Sequence, residues 1–229
     1  MVDRWRSRAE PGPGEGVVYW HVLMRDQPQV LELAREAQGR LAKFSGLHIT
    51  PPEWLHMTTL VAGPEGRFPG SSLQQMTALA AERLSTATSV TVRLGKILYH
   101  PQAIMLAVTP ADSLAPFRQA ALEATSMVTG VEQAADAGGW TPHITICYST
   151  AEQSAQPIID ALGMQLPGCE IEIKTLSLVI QRGAERLWDW TPVSVIEVPG
   201  QGGGPAVNGL ATTSSTGLLG LGCVPSPEQ

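Results

Sequence analysis

Several features that would have declared a function at once are scarce or missing. Basic charge is one of them: 15 Lys and Arg stand against 21 Asp and Glu, a formal net charge of −6, with no basic run anywhere. Proteins that grip long nucleic acid take most of that affinity from phosphate neutralisation along a basic stripe. DNA and long RNA are therefore not expected as partners, and a phosphate-bearing ligand has to be small or short and held locally. Cysteine is also sparse. Cys147, Cys169 and Cys223 form no CxxC pair and leave an odd count, which argues against a disulfide scaffold and for a reducing cytoplasm. No apolar run reaches the roughly 20 residues that cross a bilayer. The opening MVDRWRSRAEPGPGEG lacks the apolar core of a secretory signal. The expectation is a soluble, cytoplasmic, monomeric protein away from membranes.

Hydrophobic residues make up 43% of the 229 and charged ones 16%, enough to bury a real core. Residues 1–15 alternate Pro and Gly among polar residues and read as a flexible arm. GVVYWHVLM, Gly16–Met24, is β-branched and aromatic, a buried strand. Asp26 can cap a helix in which Val30, Leu31, Leu33, Ala34, Ala37, Leu41 and Phe44 recur at helical spacing. After Pro51-Pro52 comes a strand over Trp54–Ala62, a helix over Ser72–Leu84 and the strand-like SVTVRLGKILYH. The order then restarts. Ala103–Thr109 reads as a strand, Asp112 opens a helix, Thr141–Ser149 is a strand, and a helix near Ala155–Leu162 precedes CEIEIKTLSLVIQ, Cys169–Gln181. His21 to His56 is 35 positions and Leu106 to His143 is 37, so the two halves suggest a duplicated unit. From Pro199 onward the chain is rich in Gly, Ser and Thr without a period, and residues 199–229 read as a disordered tail.

Three copies of His-x-Thr occur, at His48, His56 and His143, where chance gives about 0.4. Their contexts differ. His48-Ile49-Thr50 runs into two prolines, which cannot donate to a ladder, so it reads as an approach loop without chemistry. His56 and His143 each begin a continuous strand. Regular alternation puts His56 with Thr58, and His143 with Thr145 and Cys147, leaving Tyr148 on the opposite face. Each strand thus presents an imidazole beside a hydroxyl. Opening a phosphodiester in line needs one group to take a proton and another to give one. Histidine serves either role near neutral pH, and threonine hydroxyls can hold the non-bridging oxygens. No metal or cofactor is needed.

Singly, either histidine reads more simply as a strand residue; it is the pair in repeated context that points to catalysis. His21 and His100 are read as core or surface residues. Cys147 is taken as small and buried, since no other residue is spaced to complete a zinc site with it. Trp54 and Trp140 flank the pair and either stack a base or fill strand ends.

HMTT, His56–Thr59, and HITI, His143–Ile146, lie 87 positions apart in matching strand contexts. With the YWHVLM and LSLVIQ…RLWDW segments they resemble the 2H phosphoesterase superfamily, and within it the bacterial 2′-5′ RNA ligase-like members, over residues 16–198. The resemblance implies an α+β, bilobal fold with two lobes related by a pseudo-two-fold, each an antiparallel sheet backed by helices, and the His-x-Thr strands facing a central cleft. It implies His56 and His143 as the catalytic pair and Thr58 and Thr145 as phosphate-binding residues. The implied activity is a cyclic phosphodiesterase or 2′-5′ ligase-like reaction on a small nucleotide or short RNA end. The alternative is a nucleotide-binding regulatory module of the same fold without turnover. The acidic chain departs from members that act on large RNA, since no Lys/Arg cluster flanks either motif; Arg67, Arg93, Lys96 and Arg182 are the nearest candidates. A histidine-triad hydrolase is excluded, because Thr145 and Cys147 occupy the places its alternating histidines would need.

Overall fold

The computed structural model describes residues 1–12, 14–131 and 139–200. The tail expected over residues 199–229 therefore lies, from residue 201 on, outside the described residues. The elements run β1 (Gly16–Leu23), α1 (Pro28–Leu41), β2 (Leu47–Ile49), β3 (His56–Pro64), α2 (Ser72–Leu84), β4 (Val90–His100), β5 (Ala103–Ala107), α3 (Ala115–Thr129), β6 (His143–Ser149), α4 (Gln156–Leu162), β7 (Gln165–Ile173), β8 (Thr175–Arg182) and β9 (Trp190–Glu197). The α+β expectation holds, and no helix among the described residues is long and apolar enough to cross a membrane.

Several sequence expectations are refined. Asp26 does not cap α1. Its N-cap is Gln27, without a side-chain hydrogen bond, and Pro28 opens the helix, where its missing N–H costs nothing. The approach loop at His48 is instead the short strand β2, paired antiparallel to β6. The continuous strand expected over Cys169–Gln181 is two strands that break at Lys174.

All the strand pairs are antiparallel, and the order is β7-β4-β5-β6-β3-β1-β8-β9, with β2 beside β6. The His-x-Thr strands β3 and β6 stand together at the middle, with three strands to either side of the pair. On each side the neighbour of the His-x-Thr strand comes from the same half of the sequence, and the next strand from the other half. Thus β8 lies beside β1, and β4 lies beside β5. Lys174 alone links β7, at one end of the order, to β8, near the other. One intervening residue spans little more than about 7 Å, so the sheet must curl until those strands meet.

Helices cover one face. α1 presents Val30, Leu33, Ala34, Ala37 and Leu41 to the core, and α3 presents Phe117, Ala120, Ala121 and Ala124. The helices also cross over: α1 packs on β7 and β6, whereas α3 packs on β3 and α2. Alanines on both buried stripes let helix and sheet approach closely. Trp20, Met57, Ile104, Leu106 and Ile144 form the sheet's side of this core. A second, aromatic cluster of Tyr148, Trp188 and Trp190, with Trp5, Tyr19 and Trp54 packed on it, covers the other face.

One polar contact crosses the main core. Trp20 Nε1–H donates to Thr125 Oγ1 at 3.0 Å, and that hydroxyl donates to Ala121 O at 2.7 Å. Thr125→Val keeps the shape but leaves a buried indole N–H without an acceptor. Urea unfolding should show a loss of about 1–3 kcal/mol, recovered in Thr125→Ser; an unchanged midpoint would contradict this account.

Candidate active site at the junction of two strands

β3 and β6 touch through one antiparallel rung, Met57 opposite Ile144. Both rung residues are fully buried under the helices, so the residues on either side of them face the opposite surface. Antiparallel pairing sets His56 toward Thr145 and Thr58 toward His143. All four line a single cleft of about 550 Å³, within the usual size of a small-molecule site.

The imidazoles are held alike. His56 Nδ1 lies 2.7 Å from Trp54 O, and His143 Nδ1 lies 2.7 Å from Thr141 O. A carbonyl only accepts, so each Nδ1 carries the hydrogen and each Nε2 is left to exchange a proton. The local chain enforces this. A 3₁₀ turn at Pro52–Trp54 leads into β3, and Pro142 precedes His143.

Both strands then break alternation at the same place. Opposite β1, His21 pairs with Thr58 and Trp20 with Leu60, so Thr59 is an extra residue. Opposite β5, Met105 pairs with Thr145 and Ile104 with Cys147, so Ile146 is extra. A β-bulge therefore follows the threonine of each motif and re-aims what comes after it. Val61 and Tyr148 turn into the cleft. Cys147, expected on the histidine face, goes into the core at 0% exposure, where burial pushes its thiol up to about 12. Tyr148, expected to face away, lines the site. Regular alternation could not show this, because a bulge has no compositional mark in either strand.

Each bulge is pinned by a side chain from a crossing helix. Gln38 Nε2 of α1 donates to Ile146 O at 3.1 Å and to Thr50 O at 2.7 Å, and Thr50 N also donates to Ile146 O. Arg118 Nη1 of α3 donates to Thr59 O at 2.7 Å. The Arg118 guanidinium lies 5.0 Å from the centre of the Trp140 ring, and Trp140 Nε1–H donates to Thr58 O at 3.2 Å.

Aromatic rings enclose His56. Its ring centre is 4.3 Å from His21, 4.6 Å from Trp190 and 6.3 Å from Trp188. His21 is 1% exposed, stacks on Tyr19 at 5.1 Å, and has no hydrogen-bond partner at Nδ1 among the described residues. Burial, and then the neighbouring His56, hold its pKa well below the ordinary value. Burial likewise lowers His56 to about 4, against the opposing pull of the Trp54 carbonyl and of Glu185. Trp188 reaches its place with φ 54°, uncommon for a bulky residue, and stacks over Tyr148 at 5.9 Å. Of the two flanking tryptophans, Trp140 lines the cleft, while Trp54 packs edge-on against Trp190 at 4.8 Å. His48 lies outside the cleft, accepting from Trp188 Nε1 at 3.3 Å.

The cleft's cations come from an unexpected place. None of Arg67, Arg93, Lys96 and Arg182 lines it; Arg93 pairs with Glu170 and Arg182 with Glu65. Arg4 and Arg8 do line it. The arm expected to be flexible lies against the domain over its described residues. Val2 N bonds Pro101 O and Arg4 N bonds Ser149 O, while Trp5 packs edge-on against Tyr148 and His48. Three arginines and a tryptophan in MVDRWRSR were the only hint in the sequence. No group of three or more His, Cys, Asp or Glu able to hold a metal occurs among the described residues.

Comparison with known proteins fits this geometry. A family model described as the 2′-5′ RNA ligase superfamily matches residues 25–185. No curated protein matches. Among solved structures, TT0787 of Thermus thermophilus superposes with a TM-score of 0.64 at 18% identity, over 81% of this chain and 99% of that one. E. coli LigT in apo form gives 0.58 at 14%, over 83% and 99%. The MHV ns2 PDE domain gives 0.51 at 12%, over 72% and 99%. LigT has also been crystallised with 3′-AMP and with ATP. At these identities the likeness is one of fold.

The site's construction sets two measurable outcomes. Gln38→Glu keeps the shape of the α1 side chain but sets a carboxylate oxygen against two carbonyls. Chemical denaturation should show it less stable by about 1–3 kcal/mol, and equal stability would mean that the bulge needs no pin. The second concerns acid. A group whose folded pKa is depressed contributes stability above its unfolded pKa, about 6.5 for histidine, and that contribution is lost as pH falls toward the folded value. For His56 that window runs from about 6.5 down to about 4, and His21 shifts in the same direction. The thermal midpoint should fall between pH 7 and 4.5, and fall less in His21→Phe. A flat profile would show that the rings are not held neutral.

Proposed function

The chain belongs to the 2′-5′ RNA ligase superfamily of 2H phosphoesterases, and on that premise we propose that it is a metal-independent phosphodiesterase acting on a nucleotide or RNA-terminal phosphodiester, a 2′,3′-cyclic phosphate or a 2′,5′ linkage. The observation that carries the proposal is the matched pair of imidazoles, each with Nδ1–H tied to the carbonyl two residues earlier and Nε2 free, in one cleft. On this reading residues 16–198 are the catalytic domain, with the arm as part of the cleft wall.

The chemistry divides between the two strands. Burial lowers the His56 pKa to about 4, so the ring rests neutral and its Nε2 lone pair is available as the base. A bound phosphate brings negative charge beside it and raises its pKa back toward neutrality, which suits it to accept a proton from the attacking water or hydroxyl. His143, on the adjoining strand, donates from Nε2 to the leaving oxygen. Water's oxygen bonds to phosphorus as the bond to the leaving oxygen breaks, and the proton taken at one imidazole balances the one given at the other. Thr58 and Thr145 donate their hydroxyl hydrogens to the non-bridging oxygens, which gain charge in the transition state. Both proton transfers are supplied by imidazole, so no metal-bound water is called for.

The test is a panel of 2′,3′-cyclic mononucleotides, an RNA with a cyclic-phosphate end and a 2′,5′-linked oligoadenylate, assayed with EDTA present. The protein should turn over at least one compound, unaffected by EDTA. His56→Ala and His143→Ala should each lower that rate by roughly 10²–10⁴ while still unfolding cooperatively. Full activity in either variant would sink the mechanism. Tight nucleotide binding without turnover by the natural chain would favour a regulatory binding module instead.

A further inference from the structure

Arg4 and Arg8 supply the only guanidinium or ammonium groups among the described residues that line the cleft. They precede the stretch matched by the family model, residues 25–185. The two are not equivalent. Arg4 is 15% exposed and is committed to Glu185 through two bonds, Nε to Oε2 at 2.8 Å and Nη2 to Oε1 at 2.7 Å. It also stacks over Tyr148 at 4.4 Å. Arg8 has 46% of its side chain exposed and approaches Glu185 only to 3.6 Å, beyond hydrogen-bond length. It makes no side-chain hydrogen bond among the described residues. Two guanidinium groups and one carboxylate leave one positive charge in surplus, and it rests on Arg8.

Where Arg8 stands gives that surplus a use. A second cavity of about 210 Å³ lies between the arm and strands β1 and β8. It shares Arg8, Tyr19, Val61, Gln181 and Glu185 with the main cleft, so Arg8 marks the passage from one to the other. Beyond the shared residues the chamber is walled by apolar groups, including Trp5, Pro11 and Val17, and by the Glu10 carboxylate, whose Oε2 pairs with Arg186 at 3.2 Å and whose buried Oε1 has no hydrogen-bond partner among the described residues. A mostly apolar chamber whose own carboxylate, Glu10, is paired to Arg186, with a cation free of hydrogen bonds at its mouth, suits a ring system joined through a phosphate to whatever occupies the main cleft.

We propose that this chamber is a second substrate subsite, in which Arg8 binds the phosphate linking two nucleotide units. Resting on the phosphodiesterase reading above, it makes the preferred substrate an oligonucleotide end of at least two nucleotides rather than a lone cyclic mononucleotide. The arm is then a specificity element built outside the family's common core.

The experiment compares kcat/KM for adenosine 2′,3′-cyclic phosphate and for the dinucleotide ApA ending in a 2′,3′-cyclic phosphate. The full chain, Arg8→Gln and Val61→Trp are assayed side by side. Val61 is 51% exposed at the passage, so the larger ring should close the chamber without disturbing the core. The natural chain should favour the dinucleotide by about tenfold, the effect of one charge-assisted hydrogen bond at an accessible site. That ratio should fall toward one in both variants, and added salt should lower it in the natural chain but not in Arg8→Gln. A ratio near one in the natural chain, or one that survives Arg8→Gln, overturns the subsite. If the natural chain cleaves neither compound, the cyclic-phosphate form of the phosphodiesterase reading fails separately, and calorimetry with the 3′-phosphorylated dinucleotide ApAp decides the subsite. Binding weakened by Arg8→Gln upholds it; equal binding removes it.

Discussion

Everything at the candidate site depends on one antiparallel rung, Met57 opposite Ile144. Two strands 87 residues apart in the chain meet there, each with its apolar side under the helices. Because the rung residues are fully buried, their neighbours must face the other way, and the antiparallel sense sets each histidine toward the other strand's threonine. Packing sets the geometry, with no direct contact between the four polar side chains required. The crossed helices hold the same junction from behind. α1 reaches the bulge in β6 through Gln38, and α3 reaches the bulge in β3 through Arg118. Each half of the chain thus braces the motif of the other, which joins the two halves into one unit.

Around that junction the protein keeps its charge low. His56 sits among His21, Trp188 and Trp190, where an imidazolium is poorly solvated, so the ring rests neutral. A site built this way responds strongly to an arriving anion, since the low-polarity rings that lower the pKa also magnify the field of a bound phosphate. The acidic balance of the chain is compatible with a phosphate ligand for a related reason. Only a local cation is needed, and the arm delivers two guanidinium groups to the cleft while Glu185 offsets one of them.

Much of the architecture was legible in the sequence because its signals are local. The helical spacing of Val30, Leu33, Ala34, Ala37 and Leu41 matches the stripe that α1 buries, and the run Ser72–Leu84 coincides with α2. The His-x-Thr strands could be recognised by their repeated context, and the copy that runs into the proline pair, at His48, lies outside the cleft. Where reading failed, the cause was non-local. β2 forms at His48 because β6 offers it a partner. The run Cys169–Gln181 divides at Lys174 because its two parts pair with β4 and β1, on opposite sides of the sheet.

The sequence by itself determined that His56 with Thr58 and His143 with Thr145 stand as two imidazole–hydroxyl pairs, and that strands would carry them, since residue type and period are properties of a short stretch. Only the tertiary structure decided what surrounds them. The bulges at Thr59 and Ile146 arise from register with β1 and β5, and they exchange Cys147 for Tyr148 at the cleft. The burial that neutralises His56, and the docking of Arg4 and Arg8 from a stretch with no strand or helix of its own, likewise depend on residues more than a hundred positions away. Such contacts follow from how the whole sheet curls, and no window of sequence contains them.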